Sequence, residues 1–176
     1  MLKSLRKLRA AKGGMAAVEF ALFVPALLAL VFGAIEVTNV LIVKADTTNI
    51  ASTAADLVAQ ESSVSNADMT NVFNALTALI FPYSASGAKI VITSVVDDGH
   101  GGGKVAWSDA YNGTPRSAGS AVSVPTGLIT TGGSVVLSEV TYAYSSPSTY
   151  LVKLPVTMTN NFYSHPRRVA QISRTP

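Results

Sequence analysis

The sequence predicts an α+β protein: one long N-terminal helix, apolar enough to cross a bilayer, running into a small domain with a short helix and an antiparallel β-sheet. Three observations carry this. Charge is absent from Phe20 to Ile35, and between Glu19 and Lys44 only Glu36 interrupts the apolar run. Just after Lys44, apolar residues recur at helical spacing, and beyond Pro82 the pattern shortens to that of strands. Helices first and strands afterwards argue for α+β rather than an alternating α/β chain.

The long helix comes first. Met15 to Val43 exceeds the roughly 20 apolar residues that span a bilayer. Of the 13 basic residues, five (Lys3, Arg6, Lys7, Arg9 and Lys12) precede this run with no acid among them. The remaining eight face ten acids, a net of −2. The overall charge of +3 is therefore a property of the leader and no argument for nucleic acid. Positive residues favour the cytoplasmic side, which leaves everything after Lys44 across the membrane. With no cysteine, the exported part must hold together by its core rather than by disulfides. The expected boundaries are a basic leader over 1–14, a membrane helix over 15–43, its extension over 44–61, and an exported domain over 62–176.

Three readings compete for the start. A cleaved secretory signal peptide requires a shorter apolar core and a small-residue cleavage site. Phe32 would occupy the outer small-residue position for a cut after Ala34. An uncleaved signal anchor fits length and charge but leaves Glu19 unexplained. The third is a short basic leader cut after Gly14, which makes Met15 the new N-terminus and Glu19 the fifth residue. An unpaired carboxylate deep in a membrane costs about 3 kcal/mol, less toward the interface. The free amine created by a cut, presented by a neighbouring subunit, would neutralise it where attraction is strong. The alternative is an interfacial Glu near a helix start, favoured by the macrodipole.

The segment GGMAAVEFALFVPALLALVFGAIEV resembles the N-terminal signature of TadE-like proteins, minor pseudopilins of tight-adherence (Tad/Flp) pilus systems. The resemblance rests on Gly14, Ala17, Val18, Glu19, Phe20, Ala21, Pro25, Leu28, Phe32, Gly33 and Glu36. SEVTYAY (138–144) and HPRRVAQISRTP (165–176) are also similar to that family's C-terminal region. The resemblance implies a pilin-like fold and a non-catalytic role in pilus biogenesis, adhesion and biofilm formation. It further implies processing by a prepilin peptidase between Gly14 and Met15, and assembly with other Tad pseudopilins and pilus assembly proteins. The implied setting is a single pass through the lipid of a bacterial inner membrane, with the N-terminus cytoplasmic and the C-terminal domain periplasmic. Helix pairing would then involve Glu19, Pro25, Gly33 and Glu36. Two other readings are an uncleaved membrane-anchored binding domain and a pseudopilin of a secretion system. Pro25 removes a helix hydrogen bond, which membrane helices tolerate. Gly33 has no GxxxG partner. Glu36 is either the outer-interface end of the span or a second intersubunit pair.

Beyond Lys44, Ile50, Ala54, Leu57 and Val58 form one helical face, so a single helix is expected over 16–60. Ser62–Asn66 breaks it. Ser65 and Asp68 have capping-box spacing for a second helix that stops before Pro82. Strands are expected over 89–97, 104–111 and 134–144, with a poorer one over 151–158 that Pro155 consigns to an edge. The Gly-, Ser- and Thr-rich stretch 112–133 is expected as a surface excursion. Asp97, Asp98 and His100 match no calcium or zinc spacing and read as a flexible hairpin tip with solvated acids. SGAK (86–89) lacks companion motifs, HGGGK lacks P-loop spacing, and NGT (112–114) has no meaning in a bacterial host. Neither an enzyme, a cofactor nor a small-molecule substrate is expected. Arg167, Arg168 and Arg174 read either as an intersubunit contact or as a solvated tail.

Overall fold

A 47-residue helix, α1 (Gly13–Ala59), begins the fold. The computed structural model describes residues 13–146 and 156–176. These fall into two units, the first holding residues up to Asn39 together with Ser146, and the second running from Val40 to Ser145 and through β6 to Pro176. The leader and the expected strand start at 151–155 lie outside the described residues.

In the first unit, no residue from Gly14 to Ile35 is buried. Leu, Ala, Phe and Val there form a helix because intrahelical bonds satisfy backbone groups without water. Pro25 sits inside it and withholds one N–H from the ladder.

In the second unit, α1 is followed by β1 (Ser63–Val64), α2 (Asn66–Ala78), β2 (Ala88–Asp97), β3 (Gly103–Tyr111), β4 (Ala121–Val122), β5 (Ser134–Tyr144), β6 (Val156–Ser164) and β7 (Ser173–Arg174). Ser65 caps α2: its hydroxyl accepts from the Asp68 N–H while the Asp68 carboxylate accepts from the Ser65 N–H. The helix ends at Ala78, short of the turn into the cis Phe81–Pro82 bond.

The sheet has the order β4-β3-β2-β5-β6 and all its pairs are antiparallel. β2 pairs with β5 from Ala88↔Tyr142 to Val96↔Ser134 without a break. Against β3 it shifts register between Ser94 and Val95. Strand alternation sends Ile90, Ile92, Val136, Val140, Tyr142 and Tyr144 to one core with Ile50, Ala54, Ala55 and Val58 of α1 and Met69 and Leu76 of α2. Val95, Val105, Val135 and Leu137 form a smaller cluster, covered by Val124, Leu128 and Ile129. The 112–133 excursion is therefore a lid on this cluster as well as a surface loop, and contributes β4.

The chain beyond β6 crosses back over the unit as a strap. The Arg167 N–H bonds to the Ala59 carbonyl at 2.9 Å, and the Ser134 hydroxyl donates to the Ala170 carbonyl at 2.7 Å. The Trp107 indole N–H donates to the Ile172 carbonyl at 2.8 Å, and β7 pairs in parallel with β1. The expected edge strand exists but continues to Ser164, beyond the expected limit of 158. The alternating pattern there is weak because β6 buries only Met158.

Candidate functional site

The predicted assembly residues lie along one apolar helix segment. Gly14, Met15, Glu19 and Pro25 are exposed in the first unit, and Gly33 is half-buried. A Cβ at Gly14 or Gly33 would meet no atom within 4 Å, so neither glycine is required by packing inside this chain. Glu19 has no hydrogen-bond or ion-pair partner among the described residues. Around it Met15, Val18, Phe20, Leu22 and Phe23 are all largely exposed. Burying even half of such side chains stabilises by about 1 kcal/mol each, so the segment demands lipid or partner helices.

Glu36 differs from Glu19. It is only 9% exposed, and the Ser146 hydroxyl donates to its carboxylate at 2.7 Å. The structure thus gives Glu36 an intramolecular partner, just past β5, which sequence spacing could not reveal across 110 residues.

The three C-terminal arginines part company. Arg174 makes a two-point contact with Asp109, Nε to Oδ2 at 2.8 Å and Nη2 to Oδ1 at 3.1 Å. Its Nη2 also donates to the Asn66 side-chain oxygen at 2.6 Å. The Asp109 hydrogen bonds hold the guanidinium pKa above its ordinary value. Arg167 pairs with Asp56 of α1, and Arg168 is exposed. Arg174 therefore clasps the strap to β3 and the start of α2, and Arg167 ties the strap to α1. A further pair, Arg116 with Glu139, joins the excursion to β5 at 2.8 and 2.7 Å.

The hairpin tip is more ordered than solvated acids would be. Asp97 accepts from the Gly132 and Gly99 N–H groups, and Asp98 from those of His100 and Gly102. These bonds lower both carboxyl pKa values, the Gly132 bond first for Asp97 and the His100 bond first for Asp98. Gly99 and Gly101 have φ of +78° and +84°, which the turn requires. No group of three metal-ligating side chains exists among the described residues. A groove of about 280 Å³ lies between α1 and β6, lined by Ser52, Thr53, Asp56, Leu57 and Phe162. Its carboxylate is the one already paired with Arg167.

What the geometry defines, among the described residues, is one helix long and apolar enough to cross a membrane, Gly14–Ala59, its most apolar stretch wholly unburied, leading into an antiparallel α+β unit. Residues 14–56 match the family model described as TadE-like protein. The match begins at Gly14 and takes in Glu19, Pro25, Gly33 and Glu36, in agreement with the resemblance seen in the sequence. It does not extend to SEVTYAY or the strap. No curated protein and no solved structure matches the chain.

Proposed function

We propose that this chain is a minor pseudopilin of a Tad pilus, a structural and assembly subunit rather than an enzyme. The observation that carries the reading is the coincidence, at the start of the TadE-like match, of Gly14 with a carboxylate five residues on, both on an exposed helix. A prepilin peptidase would cut between Gly14 and Met15, leaving an α-amine on the residue that begins the apolar helix. In a bundle of such helices, Glu19 of one subunit accepts the amine of the next. Their pairing removes two uncompensated charges from a low-dielectric setting and fixes the axial register between subunits. The partners are other Tad pseudopilins and assembly proteins, and the setting is a bacterial inner membrane with the α+β unit periplasmic. Through pilus biogenesis the protein serves adhesion and biofilm formation.

Intact-mass measurement on protein from cells expressing a prepilin peptidase tests this. The native chain is expected to lose residues 1–14, and a Gly14→Val chain to keep them. If both chains have the same mass, no cut occurs there and an uncleaved anchored domain replaces the proposal.

A further inference from the structure

The corner between α2 and β2 leaves two large apolar side chains in the open: Phe81 is 83% exposed and Leu79 46%. Single exposed apolar residues are common and need no explanation. Position makes these two different. Ile80, between them, is buried in a crevice lined by Val43 and Thr47 of α1 and by Tyr83. The corner is thereby fixed beside the turn at which α1 enters the second unit. α2 arrives there by running back along α1, since its start lies next to the Ala59 end through β1 and its finish lies beside Val43 and Ile50.

In the same unit and within one turn of Val43, Leu41 and Ile42 are 60% and 46% exposed. With buried Val43 they end the apolar run, and exposed Lys44 follows. Leu79 and Phe81 flank Ile80, which packs against Val43, and Leu41 and Ile42 precede Val43 in α1, so four exposed apolar side chains belong to the two segments that meet where the run ends. The other end of β2 carries only the polar tip of Asp97, Asp98 and His100.

We propose that Leu79 and Phe81 insert into the lipid interface at the outer rim of the span, so that the α+β unit rests on the membrane surface. The proposal relies on α1 crossing the bilayer. Continuity with the apolar run selects lipid as the occupant. Lys44 marks where the span meets water, and Ile80 packs within a turn or two of it, about 5 Å per turn. Apolar groups of interfacial segments sink about 5–10 Å below the headgroups, which is within the reach of a Phe side chain at that level. Aromatic residues favour this boundary, and a nearby Lys suits anionic headgroups.

The chain has no cysteine, so single labels can be placed freely. Full-length Phe81→Cys, Leu30→Cys and Ser117→Cys proteins, each carrying an environment-sensitive fluorophore, would be reconstituted into phosphatidylethanolamine–phosphatidylglycerol vesicles. Spin-labelled lipids then report contact with lipid and iodide reports contact with water. Labels at 30 and 81 are expected to lose most of their emission to the lipid quencher, and the label at 117 to lose it only to iodide. If 30 is quenched by lipid while 81 responds only to iodide, the proposal is overturned and the membrane span stands. If 81 is shielded from both quenchers, a protein surface covers the corner and lipid is again ruled out. If 30 itself escapes the lipid quencher, the span fails and takes the proposal with it. Phe81 is exposed, so its replacement should leave the melting curve unchanged, and Leu79→Cys gives an independent reading of the same corner.

Discussion

At the level of single residues, the two carboxylates of the apolar run show what burial and partners decide. Glu36 meets a hydroxyl in its own chain, which disperses part of its charge over a hydrogen bond. Glu19 sits on a helix face with no partner among the described residues, amid side chains that avoid water. A neutral residue there would make insertion of the monomer easier by up to about 3 kcal/mol, least if the position lies near the interface. The helix macrodipole gives a charge near the helix start one rationale, and a cation that meets it after assembly gives it a second, which alone makes it an assembly residue. Glu19→Ala is accordingly expected to leave processing and membrane insertion intact while lowering the yield of subunit crosslinks in membranes at least tenfold, equivalent to a pair worth about 1.4 kcal/mol. Native-level crosslinking of Glu19→Ala would leave the carboxylate without a role in register.

At the level of elements, the strap over residues 165–176 has little regular structure, only β7, and yet several specific contacts. Arg174 and Asp109 are mostly shielded from water, with side chains 20% and 24% exposed, and three acceptors on different elements converge on one guanidinium. Arg174→Ala would leave Asp109 with a desolvated charge and release β7 from α2, at an expected cost of about 1.5–3 kcal/mol. Urea unfolding checks this: the midpoint should fall with little change in slope, and an unchanged midpoint would show that the strap adds no stability. Arg174→Lys should recover only part of the loss, because an ammonium cannot make the two-point contact. None of these partners was legible in the sequence. α1, the Ser65 cap, and β2, β3 and β5 were, because each is written in local periodicity or in a spacing of three. The strap's side-chain contacts to the rest of the unit join residues 36 to 111 positions apart, which no local pattern encodes. The same limit hid the Glu36–Ser146 bond, whereas Gly14 and Glu19 could be found because their meaning lies in a separation of five.

At the level of the whole molecule, α1 is one covalent helix with two kinds of surroundings. From Gly14 to Ile35 none of its residues is buried and only Val24 and Gly33 are half-buried, while Ile50, Ala51, Ala54, Ala55, Val58 and Ala59 are almost wholly enclosed by the second unit. Small Ala side chains there let the helix backbone approach a sheet face that also carries the small buried residues Ser94 and Ser138. Helices in proteins draw most of their stability from packing an apolar face, so the 43–59 part owes its order to the sheet. The apolar part owes its order to the bilayer, where an unmade backbone hydrogen bond costs several kcal/mol. The two parts should therefore melt separately although both belong to α1. In vesicles under rising urea, amides of 43–59 are expected to lose protection from hydrogen exchange together with those of β2 and β5. Amides of 20–35 should stay protected throughout. Persistence of 43–59 after the sheet has opened would mean that the membrane segment propagates helix outward, and that the second unit folds onto a rod formed beforehand. Common loss instead makes the extension part of the domain's cooperative core, so a core substitution such as Val58→Ala should weaken α1 beyond the membrane and the sheet together.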